Sequence, residues 1–299
     1  MQTIPDTLCY LNGDYGSLRD AKVSVLDRGF MFGDGIYEVL PAYGGKLFRF
    51  HQHMARLERN LGKLRIGNPH DRDAWLERCR KLLAAPVPPL ASVGASTDQL
   101  VYLQVTRGVA LRDHVMPADA VPTVFMMCTA MRPVSAEQRH HGATCVSTRD
   151  IRWERGDIKS TSLLPNVLAR QISADEGATE TIMFRDGFLT EASASNVWVV
   201  HEGAVLGPPK SEFLLEGIRV ELIRELCAEI GVAYNLRPIA EADVFAAEEV
   251  FLSSATKEIL AVTCLDGQPV GHGALHGKPG PVYARLYAAY QRAKAVESI

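Results

Sequence analysis

The sequence predicts a mixed α+β fold divided into two domains. Short apolar segments bounded by Gly-containing turns, which are typical of β-strands, come in clusters, and segments with helical spacing lie between the clusters. This order favours α+β domains over a regular βαβ repeat. The chain has 299 residues, and because a single hydrophobic core stops growing at about 250 to 300 residues, two compact units are expected.

The first domain is expected at residues 1–130 and begins with strands and two helices. Asn12-Gly13 and Gly44-Gly45 are hairpin-type dipeptides between apolar segments. Apolar residues then recur three and four positions apart in two stretches, which predicts amphipathic helices that end near Gly67 and Pro86. Those apolar residues are Met54, Leu57, Leu61 and Leu64, followed by Trp75, Leu76, Cys79, Leu82 and Leu83.

The rest of this domain is expected to hold two buried strands. The segments 100–105 and 123–130 are apolar enough for buried strands, and a polar loop at residues 107–122 separates them. A loop is also expected at residues 85–96, which are rich in Pro, Ser and Gly.

A linker is expected at residues 131–142, a polar stretch with Pro133, and a second domain at residues 143–299. The second domain is expected to contain a strand at residues 144–148, helices at 164–176, 218–230 and 282–296, turns at Asp186-Gly187 and Glu202-Gly203, and strands near Val250 and Ile259.

Composition and charge exclude several classes of partner and site. A formal charge of -3 and a pI near 6.3 give no electrostatic reason to expect nucleic acid or an anionic membrane as a partner. No apolar stretch approaches the roughly 20 residues of a membrane span, and the first ten residues do not resemble a signal peptide. Six cysteines without a C-x-x-C pair favour a reducing compartment, so the cytoplasm is expected.

No metal site is expected, because the three pairs of neighbouring histidines lie at a helix start, in a linker and in a Gly-rich loop rather than at ligand spacing. The sequence also lacks the G-x-S-x-G elbow, the P-loop and the G-x-G-x-x-G fingerprint. These absences weigh against an α/β-hydrolase, a nucleotide triphosphatase and a Rossmann dehydrogenase.

A segment with three glycines, residues 27–38, can turn sharply and approach a ligand. Six short motifs follow it, one of them the single residue Asn166: His53-x-x-Arg56-Leu57, Asp157-Ile-Lys159-Ser, Asn166, Thr190-Glu191-x-x-x-Ser195-Asn196, Gly217-Ile218-Arg219 and Ser254-Ala-Thr256-Lys-Glu258. In this order and spacing they resemble the class IV aminotransferases, and the resemblance extends over nearly the whole chain.

The resemblance implies a two-domain fold type IV architecture, with a barrel-like second domain that holds pyridoxal 5'-phosphate. It implies that Lys159 is the catalytic residue that holds the cofactor as a Schiff base, which a lysine forms only in its deprotonated state. Glu191 is expected beside the pyridine nitrogen, where a carboxylate strengthens the ring as an electron sink.

Further cofactor-binding residues follow from the same resemblance. Ile218 and Arg219 fall in the first turn of a predicted helix, where free N–H groups attract a phosphate. The family usually has threonine at the position of Arg219, so this chain departs from the family there and an arginine replaces the hydroxyl. The complete expected set is Arg56, Lys159, Glu191, Ser195, Asn196, Leu215, Ile218, Arg219, Ala255 and Thr256.

Substrate choice is expected to depend on residues 106–117. Arg112 and His114, at i and i+2 of an extended loop, could hold a carboxylate together. This resembles the D-amino acid aminotransferase branch, in which such a pair and a tyrosine at the position of Tyr37 bind the substrate α-carboxylate. In that branch the loop reaches the neighbouring subunit's site, which implies a homodimer with shared active sites.

The expected activity is therefore transamination between a D-amino acid, such as D-alanine, and a 2-oxo acid, such as 2-oxoglutarate. A branched-chain L-amino acid aminotransferase, an (R)-amine transaminase and an aminodeoxychorismate lyase share the cofactor motifs and stay open as alternatives. A catalytically inactive protein that binds the cofactor is the alternative outside enzymes, and the presence of both Lys159 and Glu191 weighs against it.

Overall fold

The computed structural model describes residues 5–88 and 97–299. The chain divides into two compact units, the first formed by residues 1–132, 158–163 and 297–299, and the second by residues 133–157 and 164–296. The division after residue 132 falls in the segment predicted as a linker, and the return of two short segments to the first unit was not predicted. The predicted loop at residues 85–96 is irregular at 85–88, and its remainder lies outside the described residues.

The first unit is built on an antiparallel sheet of six strands, in the order β2-β1-β6-β5-β3-β4. The strands are β1 (Leu8–Leu11), β2 (Asp14–Ser17), β3 (Gly35–Tyr43), β4 (Lys46–Leu47), β5 (Gln99–Thr106) and β6 (Thr123–Ala130), and the helices are α1 (Arg28–Phe32), α2 (Phe50–Lys63) and α3 (Arg72–Leu83). Both predicted hairpins are present, since β1 and β2 are joined at Asn12-Gly13 and β3 and β4 at Gly44-Gly45.

The core of this unit lies where α2 and α3 cover the sheet. Inward-facing residues of β3 and β5 pair across the ladder, for example Leu40 with Val101. Met54 and Leu57 on α2 and Trp75 on α3 are fully buried against them. Burial of each such side chain contributes about 1.5–3 kcal/mol, so the predicted apolar faces of the two helices account for their docking.

Two distant segments are built into the first unit. Ser160 pairs with Ile36 at the side of β3, and the N–H of Thr161 donates to the carbonyl of Gly35. The C-terminal Ile299 exchanges two backbone hydrogen bonds with Leu47 on β4.

The second unit is built on a mixed sheet of nine strands, in which eight follow the order β12-β11-β10-β13-β14-β7-β8-β9 and β15 pairs with β14. The strands are β7 (Ala143–Arg149), β8 (Glu180–Arg185), β9 (Phe188–Ala192), β10 (Asn196–His201), β11 (Ala204–Gly207), β12 (Tyr234–Leu236), β13 (Glu249–Ser254), β14 (Glu258–Leu265) and β15 (Gln268–Pro269). The helices are α4 (Ala136–His141), α5 (Leu164–Asp175), α6 (Ile218–Glu229), α7 (Glu241–Phe245) and α8 (Pro281–Val296). The pairs β11–β12, β14–β7 and β7–β8 are parallel and the other pairs antiparallel, so the predicted mixed α/β class is confirmed.

Two short helices lie where the sequence suggested irregular chain. Helix α1 begins after Asp27, whose carboxylate accepts from the N–H of Gly29, and ends at Gly33 in the left-handed conformation. Helix α4 occupies half of the segment predicted as a linker, because the Ser135 hydroxyl caps its first turn by accepting from the N–H of Gln138. The boundary at residues 131–142 remains a proposal.

Within residues 5–88 and 97–299, no helix is long and apolar enough to span a membrane. The same residues contain no group of three or more His, Cys, Asp or Glu side chains that could hold a metal ion.

Candidate active site

The predicted site residues are distributed over both units. Tyr37, Arg56, Arg112, His114 and Lys159 belong to the first unit, and Glu191, Ser195, Asn196, Leu215, Ile218, Arg219, Ala255 and Thr256 belong to the second. Each set is described within its own unit.

Lys159 lies beside Tyr37 in the first unit. Its carbonyl accepts from the N–H of Tyr37 at 3.1 Å, which sets the segment alongside β3, and the neighbouring Ile158 is buried in the core. The Lys159 Nζ atom lies 4.0 Å from the centroid of the Tyr37 ring. Lys159 is half-buried and forms no ion pair within the described part of the chain. An amine without a carboxylate partner suits a nucleophile that bonds to a carbonyl carbon, because no ion pair stabilises its protonated form.

Arg56 is held by a buried carboxylate that the sequence analysis did not identify. Its Nε and Nη2 atoms each donate to Glu38 at 2.7 Å, and His53 Nδ1 lies 2.7 Å from the same carboxylate. Burial opposes the ionisation of Glu38, but the guanidinium and the hydrogen bonds hold its pKa well below the usual range. The signal was present in the sequence, because Glu38 occupies the same inward-facing alternation of β3 as Ile36 and Leu40.

Arg112 and His114 both lie near the ring of Phe32, the last residue of α1. The Arg112 Cζ atom and the centre of the His114 ring each lie 5.6 Å from the centre of the Phe32 ring. Both side chains are exposed. Among residues 5–88 and 97–299, no hydrogen bond, ion pair or ring contact joins either of them to Tyr37 or Lys159.

Glu191 is a buried carboxylate at the end of β9 in the second unit. Arg152 donates to its Oε1 atom, and the amide groups of Asn196 and Leu215 donate to Oε2 at 3.4 Å each. Burial raises the pKa of Glu191, and Arg152 opposes that rise. A carboxylate so placed can accept a further hydrogen bond from a cationic ring nitrogen.

Arg152, which the sequence analysis missed, connects Glu191 to its surroundings. Its Nε and Nη2 atoms donate to Asp150 at 2.9 and 2.7 Å, and Nη2 also donates to the carbonyl of Phe213 at 3.0 Å. Only contact in the folded chain identifies this residue, because it lies 39 positions before Glu191 and no short pattern includes both.

The start of α6 fits an anion such as a phosphate. Gly217 precedes the helix and has no side chain with which to cap it, so the first turn at Ile218 and Arg219 can present its N–H groups to a ligand. A Cβ atom at position 217 would lie 2.1 Å from Asn196 Oδ1, which explains the glycine. The Arg219 side chain is buried, and its Nε donates to the Tyr290 hydroxyl at 3.3 Å.

The remaining predicted residues divide into a buried cluster and an exposed turn. Ser195 Oγ donates to Glu180 at 3.0 Å and accepts from Lys257 Nζ at 3.2 Å, so this hydroxyl belongs to the buried Glu180–Lys257 pair. Ala255 and Thr256 lie in the turn between β13 and β14, where Thr256 is exposed. Its hydroxyl is therefore accessible to a ligand.

Comparisons with known proteins agree over most of the chain. A family model described as Amino-transferase class IV matches residues 35–265. The chain is 34% identical over 280 residues to the D-alanine aminotransferase of Bacillus licheniformis, and the aligned region covers 94% of each chain. It is 33% identical over 286 residues to the D-alanine aminotransferase of Staphylococcus epidermidis, covering 96% of this chain and 97% of that one.

The fold is shared with solved aminotransferases. The Escherichia coli branched-chain amino acid aminotransferase matches with a TM-score of 0.85 and 22% identity, covering 96% of this chain and 94% of that one. The branched-chain aminotransferase of the archaeon Thermoproteus uzoniensis, solved with norvaline, matches with a TM-score of 0.82 and 20% identity, covering 97% and 96%. At these identities the likeness concerns the fold, and it confirms the predicted fold type IV architecture.

Proposed function

The chain belongs to the class IV aminotransferase family, whose cofactor is pyridoxal 5'-phosphate, and we propose that it transfers an amino group between a D-amino acid and a 2-oxo acid. D-alanine and 2-oxoglutarate are the proposed representative substrates. One observation carries this choice: Arg112 and His114 stand beside the same ring on one exposed loop, as a pair that binds one carboxylate requires. The identity to D-alanine aminotransferases over nearly the full chain supports it.

When bound, pyridoxal phosphate supplies the electron sink for negative charge that develops at the substrate Cα. We propose that Lys159 is the covalent attachment point and that its free amine removes the Cα proton. The surroundings of Lys159 support this role, because no carboxylate in the described part of the chain pairs with the amine and so stabilises its protonated form. Tyr37 both limits the orientation of Lys159 and is proposed to contact the substrate carboxylate.

The other side chains bind and orient. Glu191, held by Arg152, is proposed to accept a hydrogen bond from the protonated ring nitrogen, with Asn196 and Leu215 fixing its second oxygen. The first turn of α6 at Ile218 and Arg219 is proposed to bind the phosphate through its N–H groups.

Three further contributions to the cofactor site remain proposals. Thr256 would add a hydroxyl to the phosphate, and Ala255 would contribute the neighbouring backbone of the same turn. Arg56, which Glu38 and His53 orient, would add a guanidinium. Ser195 would act through the Glu180–Lys257 pair that it joins.

We also propose a homodimer whose active sites are shared. Leu164, Val167, Leu168 and Ile172 form one face of α5, and these side chains are between 39% and 69% exposed. An apolar helix face of this kind supports a contact with a second copy of the chain. The exposure of Arg112 and His114 supports their use in the partner's site. All six cysteines are free thiols, so we place the enzyme in the cytoplasm, which keeps thiols reduced.

The experiment that tests this function compares D-alanine with L-leucine as amino donors to 2-oxoglutarate. We expect D-alanine to be preferred, and a clear preference for L-leucine would favour a branched-chain aminotransferase instead. Turnover of amines without a carboxylate would favour an amine transaminase.

The attachment point is tested with Lys159→Ala. This variant should lose transamination and the covalent link to the cofactor that borohydride fixes, while it still binds cofactor noncovalently. Lys46→Ala, which changes an exposed lysine on β4, is the matched control and should behave as the unmodified protein. Full activity in Lys159→Ala would refute the assignment.

A further inference from the structure

The loop at residues 107–122, which carries Arg112 and His114, is fastened at its base to the start of α1. The N–H of Arg28 donates to the carbonyl of Gly108 at 2.9 Å, and Asp27 forms an isolated antiparallel bridge with Val109. A Cβ atom at Gly108 would lie 1.9 Å from the carbonyl oxygen of Val121, so the two ends of the loop meet closely. The base of the loop is therefore constrained.

The Arg28 side chain extends this constraint to the middle of the loop. It is buried, and its Nη1 atom donates to the carbonyl of Asp113 at 2.6 Å. Asp113 is the residue between Arg112 and His114, so this hydrogen bond fixes the peptide that connects the two substrate-binding side chains.

Asp34 keeps the Arg28 guanidinium in place. Its Oδ2 atom accepts from Arg28 Nε and from Arg107 Nε, each at 2.8 Å, and its Oδ1 atom accepts from Arg107 Nη2 at 3.0 Å. Burial opposes the ionisation of Asp34, but the two guanidinium groups hold its pKa below the usual range. The carboxylate therefore stays charged and links Arg28 to the first residue of the loop.

Phe32 provides the surface on which the loop's side chains rest. Four residues after Arg28 on α1, its ring lies 4.8 Å from the Arg28 Cζ atom, while Arg112 Cζ and the His114 ring lie 5.6 Å from the same ring. The face of an aromatic ring attracts a guanidinium, which restricts an otherwise mobile exposed side chain.

We propose that Arg28 and Phe32 are positioning residues for the substrate carboxylate: Arg28 fixes the backbone between Arg112 and His114, and Phe32 holds their side chains next to each other. A pair that is already in place loses less conformational freedom when the carboxylate binds. This inference rests on the carboxylate role proposed above for Arg112 and His114.

The test uses Phe32→Leu, which keeps an apolar side chain and removes the ring. KM for D-alanine and for 2-oxoglutarate should rise by the same factor, about threefold to tenfold, because both substrates carry the α-carboxylate. The value of kcat and the cofactor content should stay unchanged, since the contact serves binding alone. Phe32→Tyr, which keeps an aromatic ring, should have the same KM values as the unmodified protein.

Two further comparisons separate positioning from a general structural defect. Phe30→Leu makes the same change on the same helix, where the side chain is 71% exposed, and should leave both KM values unchanged. When Arg112 is already replaced by alanine, the factor by which Phe32→Leu raises KM should be clearly smaller than in the otherwise unmodified protein. The reason is that the effects of two residues that act together are not additive. Arg28→Lys should reproduce the KM increase, since one ammonium group cannot reproduce the two-sided contact of the guanidinium.

The outcomes distinguish this inference from the proposed function. Unchanged KM values in Phe32→Leu and Arg28→Lys, together with raised values in Arg112→Ala, would overturn the positioning role and leave the carboxylate site intact. Fully additive effects of Phe32→Leu and Arg112→Ala would also overturn it. Unchanged KM values in Arg112→Ala would refute the carboxylate role itself, and the inference with it.

Discussion

Replacement of Arg152 by methionine is expected to destabilise the second unit strongly. The guanidinium lies between two buried carboxylates, Asp150 and Glu191, and also donates to the carbonyl of Phe213. Methionine has a similar length and no charge, so the change removes the ion pairs and leaves most of the volume filled. Both carboxylates then stay buried without their principal cation.

The magnitude follows from the burial of this group. The side chain of Asp150 is fully buried and that of Arg152 is 4% exposed. Removing one partner of such a buried ion pair costs about 3–5 kcal/mol, because the remaining charge is uncompensated. The free energy of unfolding of a typical protein is about 5–15 kcal/mol, so the variant should lose a large part of its stability.

The loss should also depend on pH. Without Arg152, the main interaction that opposes the effect of burial is lost, so the pKa of Glu191, which burial already raises, rises further and the pKa of Asp150 rises from its lowered value. The folded variant then binds more protons than the unfolded chain at and above the ordinary carboxyl range, so its stability falls as pH rises through that window. The deficit relative to the unmodified protein should therefore be largest at neutral pH and smaller in mild acid.

Urea denaturation of the cofactor-free protein at both pH values measures this deficit. Arg155→Met is the matched control, because Arg155 is 51% exposed and its pair with Asp157 has an N–O distance of 3.2 Å. An exposed pair contributes about 0–1 kcal/mol. A loss below about 1 kcal/mol in Arg152→Met, or a deficit that grows as pH is lowered, would refute the reasoning.

Three other expectations concern activity. Glu191→Gln should lower kcat far more than it lowers cofactor affinity. A kcat equal to that of the unmodified protein would mean that another carboxylate binds the ring nitrogen. Arg112→Ala should lower kcat/KM by an amount that corresponds to about 2–5 kcal/mol of transition-state binding, with every amino acid tried, because the carboxylate is common to all. When Arg112→Ala chains are mixed with Lys159→Ala chains, activity should return in verified heterodimers, and no recovery would contradict shared sites. Gly217→Ala should weaken cofactor binding, since its Cβ would lie 2.1 Å from Asn196 Oδ1 and displace the start of α6; an unchanged dissociation constant in a cofactor titration would argue against a phosphate there.

Local signals in the sequence predicted the elements that depend on neighbouring residues. The Asn12-Gly13 and Gly44-Gly45 turns and the 3.6-residue spacing of α2 and α3 were recognisable because turn chemistry and amphipathic periodicity are local properties. Helix α4 was missed, because six residues with a Ser135 cap give too short a pattern to separate from polar linker chain.

The candidate site also contains residues that local patterns predicted and residues that only contacts between distant positions reveal. Lys159, Glu191 and Gly217 were found because each lies in a short pattern of the family. Arg152 and Arg28 were not found, although both hold predicted residues in place, because their contacts join positions that are 39 and 85 apart in the chain. Glu38 could have been recognised as an acidic residue at an inward-facing position, but its partners could not.

By itself, the sequence determined the fold class through its apolar periodicity, and the resemblance of its short motifs to one family indicated the family, the cofactor and the candidate residues that would perform the chemistry. Only the tertiary structure decided which side chains hold those residues: Glu38 contacts Arg56, Arg152 contacts Glu191, and Arg28 and Phe32 contact the loop that carries Arg112 and His114. The physical reason is that a buried charge must find its counter-charge wherever the folded chain brings one near, and that proximity is set by packing rather than by order along the chain.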